Sequence, residues 1–231
     1  VKSKSSRKSS SKKSSKKSSV KSIKYTIDKT IPFGIYDPNG FNINPLTMKP
    51  YKNLYQHIPK SIKGEVLPAT YSNLAKIWTS IPVHSYKDAV LQCIKGNQIT
   101  LAKAGTGVGK TVLIPKIALH AFDYKESVMC TIPKKIITES TAHFAAMCLD
   151  VKVGEEVGFY FRGKNMTHKN GKTSKLIFST TGSLISRMTG SDPLLKDYKC
   201  IVIDEAHERS VQTDQLLLLL KKATKIRKDL K

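Results

Sequence analysis

One stretch of sequence narrows the fold more than any other: Ala104-Gly105-Thr106-Gly107-Val108-Gly109-Lys110-Thr111. It follows the apolar run Ile99 to Ala102 and precedes a helical pattern, so the expected local order is strand, glycine loop, helix. Glycines let the backbone curl until successive N–H groups point inward. The following helix adds the positive end of its dipole, and together these make a nest for phosphate oxygens. In such a nest Lys110 reaches the β and γ phosphates, while Thr111 offers its hydroxyl to a magnesium ion that bridges them. The loop opens on Ala104 where glycine is usual, but a small side chain is all that position needs. Pro115, early in the helix, removes a backbone donor and is expected to kink the axis.

A second signal is Asp204-Glu205-Ala206-His207, directly after the apolar run Cys200-Ile201-Val202-Ile203. Acids at the carboxyl end of a parallel strand face the ligand crevice of an α/β sheet. Two duties need two carboxylates: Asp204 holds magnesium, directly or through water, and Glu205 orients and deprotonates the attacking water. Alone, the stretch reads equally as a solvated acidic loop. Beside a phosphate loop, the catalytic reading prevails.

Four apolar runs read as buried strands: Ile99 to Ala102, Val128 to Ile132, Leu176 to Phe178, and Cys200 to Ile203. Helical patterns separate several of them, which implies parallel pairing in a layered α/β domain. Ser85 followed by Asp88 looks like a capping box for a short helix with Ala89, Val90, Cys93 and Ile94 on its apolar face and Gly96 as its stop. Val157 to Arg162 is expected to form an extra strand paired through a loop carrying Asn170-Gly171. The leucines at 216 to 220 are expected in a buried helix.

The chain divides into three parts. Residues 1–24 are almost all Lys and Ser, cannot bury enough apolar surface to offset ordering, and are expected to be a disordered tail. Residues 25–82 hold seven of the ten prolines and scattered aromatics (Tyr36, Phe41, Tyr51, Tyr55), so they read as an irregular extension lying against something larger. One short helix is expected there, from Leu74, Ile77, Trp78 and Ile81. Residues 83–231 form the α/β domain.

Lys and Arg number 40 against 17 Asp and Glu, a net charge of +23 that favours a polyanionic partner, nucleic acid first. Ten of those charges lie in the tail, so the body is basic in its own right. The four cysteines stand far apart with no C-x-x-C pair, which argues against zinc and for core thiols in a reducing compartment. The longest apolar run, Leu216 to Leu220, is too short to span a bilayer, so no membrane segment is expected. The chain opens on Val, as a fragment or processed protein would, and its tail lacks the apolar core of a signal peptide.

AGTGVGKT and DEAHERS together resemble motifs I and II of the DEAH-box group of superfamily 2 helicases. Thr131-Ile132-Pro133-Lys134-Lys135 is similar to the family's motif Ia, and Thr180-Thr181-Gly182 to its motif Ib. Glu156-Val157-Gly158 with Arg162, and Thr213-Asp214, also resemble stretches of this family, so the likeness covers about residues 82 to 231. The resemblance implies a RecA-like P-loop NTPase domain, with ATP and magnesium bound by Ala104 to Thr111, Asp204 and Glu205. It implies that Pro133, Lys134, Lys135, Thr180 and Gly182 touch a nucleic-acid backbone, and that His207 links the nucleotide site to a second motor domain. Where the family usually has arginines, this chain has Lys134 and Lys135, point charges without the planar fork.

The family's motor has two RecA-like domains, and the chain stops about where motif III would begin, so a longer protein is expected. The function implied is an ATP-dependent RNA helicase, with RNA preferred over DNA because the family acts mostly on RNA. Two alternatives stay open: a DNA-directed helicase or translocase, and a nucleic-acid-binding protein whose NTPase domain does not cycle. The excess of lysine over arginine, with frequent Ile and Asn, suggests an AT-rich genome such as that of a large cytoplasmic DNA virus. Location is expected to be intracellular, either cytoplasmic (a viral factory or virion) or nuclear.

Overall fold

Three of the four apolar runs become neighbouring strands of one sheet. The computed structural model describes residues 43–52, 54, 80–169 and 172–231. The Lys/Ser tail, Tyr36, Phe41 and Tyr55, the helix expected from Leu74, Ile77 and Trp78, and the Asn170-Gly171 pair lie outside the described residues. In chain order the strands are β1 (Ile43–Asn44), β2 (Lys49–Pro50), β3 (Val128–Ile132), β4 (Val157–Phe161), β5 (Lys164–Met166), β6 (His168–Lys169), β7 (Lys172–Thr173), β8 (Leu176–Thr180) and β9 (Cys200–Ile203). The helices are α1 (Lys87–Gly96), α2 (Lys110–Ala121), α3 (Lys135–Leu149), α4 (Thr181–Thr189) and α5 (Val211–Ile226).

The main sheet has the order β5-β4-β8-β3-β9, with β4, β8, β3 and β9 parallel and only β5 antiparallel. It is a mixed, mostly parallel sheet with helices on both faces, consistent with a RecA-like domain. β3 and β8 are central, and every residue in them is buried, as expected of parallel strands covered on both sides. On one face Leu113, Ile117 and Ala118 of α2 and Ala142, Ala145 and Ala146 of α3 pack with Val128, Cys130 and Ile132 of β3. On the other, Leu184, Ile185 and Met188 of α4 and Leu216, Leu220 and Ala223 of α5 pack with Met129 and Ile177. Burial pushes the Cys130 thiol well up and the Cys200 thiol to about 12, so both are core groups.

Several local expectations need correction. Ile99 to Ala102 is not a strand: the segment belongs to no ladder, and Ile99 and Leu101 are 77% and 89% exposed. A strand needs a neighbour, and beside this segment none runs among the described residues. The chain there is tied instead by side chains, with Gln98 Nε2 donating to the carbonyls of Thr224 and Arg227 at 3.0 and 2.9 Å. The capping box does not form either. α1 starts at Lys87 after a 3-10 turn, Pro82–Tyr86, and Ser85 Oγ donates back to the Pro82 carbonyl at 3.0 Å. Of its expected apolar face only Ile94 is buried, while Ala89 and Cys93 are exposed.

Pro115 sits inside α2, yet the helix runs unbroken from Lys110 to Ala121. In the leucine run only Leu216 and Leu220 are buried, whereas Leu217 and Leu218 are 42% and 55% exposed. Five consecutive residues wind more than once around a helix, so one face cannot take them all. The extra strand β4 exists: it pairs in a tight hairpin with β5 across Arg162-Gly163 and in parallel with β8, and β6 and β7, on either side of Asn170-Gly171, pair antiparallel with each other. Gly158 is required there, because a Cβ would stand 2.6 Å from both the Met166 carbonyl oxygen and Ser174 Oγ.

The described residues 43–52 and 54 of the N-terminal extension are seated on this domain. Asn44 Nδ2 donates to the Leu149 carbonyl at 2.7 Å, and the Asp150 carboxylate accepts the backbone N–H groups of Lys52 and Leu54 at 2.6 and 2.7 Å. Tyr51 is buried beside them.

Candidate functional site

The loop and the acidic strand end meet at one hydrogen bond. α2 begins at Lys110 because Gly109, at φ 84°, swings the chain from loop into helix, and Leu113 N–H already donates to the Gly109 carbonyl at 3.0 Å. Gly107 is left-handed too, at φ 75°, a region glycine enters without strain. This aims Thr111 at β9, and its Oγ1 donates to Asp204 Oδ2 at 2.5 Å. Asp204 stands at the carboxyl end of β9, where its own N–H donates to the Thr131 carbonyl of β3 at 3.1 Å.

A hydroxyl and a carboxylate converging in this way suit magnesium, a hard ion that usually takes one or two protein oxygens and keeps several waters. No group of three or more His, Cys, Asp or Glu side chains fit to hold a metal occurs among the described residues. Lys110 Nζ donates to the Ala104 carbonyl at 2.9 Å and also to that of Gly105, so its ammonium lies across the loop.

Glu205 and Arg209 are both left-handed, at φ 51° and 50°, and bracket the short 3-10 turn Ala206–Glu208. That conformation costs a non-glycine residue on the order of 1 kcal/mol. It turns the chain so that Glu205 lines the same cavity of about 250 Å³ as Thr111, Asp204, Ile132, Pro133 and Lys134. His207 is exposed, its Nε2 3.4 Å from Glu205 Oε2. Arg209 Nε and Nη2 donate to Asp214 at 2.8 and 3.0 Å, and this hydrogen bonding holds the Asp214 carboxyl below its ordinary range. Ser210 caps α5 by accepting the Thr213 N–H at 3.1 Å, a cap that a serine just before a helical run signals.

The remaining predicted residues line the same edge of the sheet. Lys134 is the extended residue before α3, and it and Pro133 are exposed. Lys135 turns away from the cavity toward the β4–β5 turn, donating to the Arg162 carbonyl at 3.3 Å with Nζ 5.8 Å from the Phe161 ring centroid. Thr180 is the register partner of Ile132 and takes the N-cap position of α4, but its hydroxyl pairs with Ser183 Oγ at 2.8 Å and caps no backbone N–H. Gly182 lies against Gln212 of α5, whose amide is 3.5 Å from where a Cβ would stand.

Five predicted residues (Thr111, Pro133, Lys134, Asp204 and Glu205) thus line one cavity, with Thr180 and Gly182 a strand further along and His207 outside it. Sequence reasoning missed Ile137 and Glu208, which also line the cavity. It also missed Ile81 and Val83, which touch the loop from outside with no motif to announce them. A separate open cleft of about 640 Å³ near the start of β9, lined by Arg187, Asp192 and Asp197 among others, contains none of the predicted residues.

A family model described as DEAD/DEAH box helicase matches residues 84–229. The chain is 38% identical over 188 residues to a protein of Acanthamoeba polyphaga mimivirus provisionally named ATP-dependent RNA helicase L540, covering 81% of this chain and 24% of that protein. It is 36% identical over 152 residues to ATP-dependent RNA helicase HrpA of Borreliella burgdorferi, covering 65% and 18% respectively. A third relative, zinc finger CCCH domain-containing protein 4 of Oryza sativa subsp. japonica, is 31% identical over 151 residues, or 65% of this chain and 15% of that protein. The chain therefore spans at most about a quarter of the length of these relatives.

Proposed function

The chain belongs to the DEAD/DEAH box helicase family, and from that premise we propose that it is the ATP-binding motor domain of an ATP-dependent RNA helicase. The observation that carries the reading is the 2.5 Å contact between Thr111 and Asp204, which joins the phosphate loop to the acidic strand end. Bound there, magnesium would neutralise charge on the β and γ phosphates. Thr111 and Asp204 would hold the ion. Lys110 would leave the Ala104 and Gly105 carbonyls for the phosphates, and the loop amides from Gly105 to Thr111 would cradle them. Glu205 would orient the water and take its proton, and His207 beside it would pass the state of the site to a second motor domain.

RNA is proposed to run along the tips of β3 and β8, its backbone met by Pro133, Lys134, Lys135, Thr180 and Gly182, with positioning and not base reading as their role. RNA is preferred over DNA because two relatives carry RNA helicase in their names. A second RecA-like domain in the longer protein is part of the proposal. So is a strand beside β9, since Lys231 N–H donates to the Lys199 carbonyl at 2.9 Å and its carbonyl accepts from Ile201 N–H at 3.0 Å, one rung of parallel pairing. An intracellular place of action accords with the absence of a disulfide among the four cysteines. No described helix is long and apolar enough to cross a membrane.

The test is calorimetric titration with a non-hydrolysable ATP analogue and magnesium. Lys110→Ala is expected to weaken binding by about a hundredfold, as removal of a charge-assisted phosphate contact would, with the melting temperature unchanged. Equal affinity in the two proteins would remove the assignment.

A further inference from the structure

The loop that cradles phosphate is gripped by a piece of chain that precedes α1. Ile81, in extended conformation at φ −80° and ψ 124°, lies directly over Gly109: a Cβ built on that glycine would stand 2.2 Å from Ile81 Cγ2. Two residues on, the Val83 N–H donates to the Val108 carbonyl at 3.1 Å. The contact thus falls on consecutive loop residues, by side chain on one and by backbone on the other.

The gripping segment is itself firmly placed. Pro82 fixes its own φ and biases Ile81 toward the extended region. Val83 is 6% exposed and belongs to the main core, and His84 N–H closes the turn on the Ile81 carbonyl at 2.9 Å. On its other side the loop has little support. The residues that lead into it, Ile99 and Leu101, are exposed and join no ladder, and Ala104 to Gly107 are exposed as well. Gly109 must stay left-handed for Lys110 and Thr111 to start α2 facing β9.

We propose that Ile81 and Val83 are positioning residues for the phosphate loop: the Ile81 methyl and the Val83 amide hold Val108 and Gly109 in the conformation that aims the loop's N–H groups at phosphate. This rests on the nucleotide reading of the site. Neither residue touches the nucleotide. Their effect is preorganisation, which raises affinity by cutting the ordering cost of binding.

The experiment compares the chain with Ile81→Ala, which removes Cγ2, and Ile81→Val, which keeps it. Two readouts are taken: amide hydrogen exchange at Val108, Gly109 and Lys110 without nucleotide, and titration with a magnesium–ATP analogue. Ile81→Ala is expected to speed exchange at those three amides and to weaken the analogue by about tenfold, a size typical of lost preorganisation. Ile81→Val is expected to restore both. Exchange in the core strand β3 should stay unchanged in both variants, separating a loop effect from general destabilisation. Unaltered loop exchange in Ile81→Ala would overturn the proposal, as would an affinity loss that Ile81→Val shares in full. If the unsubstituted chain failed to bind the analogue, the nucleotide reading would fall, while the exchange data would still judge whether Ile81 holds the loop.

Discussion

The acidic strand end and the phosphate loop touch at one hydrogen bond, yet they are supported in opposite ways. Asp204 is the continuation of a strand locked in parallel register to β3, from Val128↔Cys200 to Thr131↔Ile203. The phosphate loop follows a segment outside every ladder, and is held by its own glycines, by the first turn of α2, by Thr111 and by the Ile81–Val83 grip. The Asp204 carboxylate is positioned by backbone pairing, whose geometry leaves little freedom, and Glu205 follows it in the turn that begins there. The loop is positioned by side-chain and single-bond contacts, which single substitutions can reach. Changes on the acid side should therefore alter chemistry and leave geometry intact, whereas changes on the loop side should alter binding and local order.

The largest expected effect sharpens that contrast on the acid side. In a chain extended to include the proposed second motor domain, Glu205→Gln should keep affinity for the ATP analogue and lower steady-state turnover by about a thousandfold, the middle of the range for loss of a general base. Unaffected turnover would remove Glu205 from the chemistry.

A smaller effect probes the helix that the loop opens. α2 buries Lys116 and His120, and burial holds the His120 imidazole down to about 4 from its ordinary 6.5. With the folded-state value below the unfolded one, the unfolded chain binds the extra proton first. The stabilisation from neutral His120 is therefore complete above about pH 6.5 and is lost as pH falls toward about 4. The full loss is of the order of 3 kcal/mol. Replacing His120 with Phe should flatten the dependence of the denaturation midpoint on pH across that window. A slope identical to the parent's would assign acid sensitivity elsewhere.

The smallest effect concerns the shared edge. Lys135→Ala should lower RNA affinity a fewfold and reduce the salt dependence of binding by about one in slope, as the loss of one phosphate contact does. Fluorescence anisotropy at several salt concentrations measures this. Unchanged slope would leave Lys135 as a support for the β4–β5 turn, where its contacts to Arg162 and Phe161 already put it.

The sequence was most legible where chemistry needs residues close together in the chain. The glycine loop, the paired acids and the strands Val128 to Ile132 and Cys200 to Ile203 could be read because local spacing and a short apolar run specify each of them. The layered α/β class followed from their alternation with helices. Legibility failed where the outcome depends on distant partners. Ile99 to Ala102 is an apolar run of strand length, but a strand exists only when a neighbour offers hydrogen bonds, and an apolar run cannot supply one. The hairpin of β4 with β5 went unread, because Arg162-Gly163 gives a weaker turn signal than Asn170-Gly171. Ile81 is an ordinary apolar residue in a proline-rich stretch, and its meeting with Gly109 is a fact of tertiary packing alone. Ser85 could have capped α1, but Pro82 starts a 3-10 turn early enough that Ser85 falls inside it.

A structure determined with magnesium and a non-hydrolysable ATP analogue tests the central claim most directly. Lys110 Nζ is expected to have moved from the Ala104 and Gly105 carbonyls onto a phosphate oxygen, with the cation shared between Thr111 Oγ1 and Asp204 and with Glu205 facing the terminal phosphate. A nucleotide found elsewhere, with Lys110 still on those carbonyls and Thr111 still donating to Asp204, would contradict that claim.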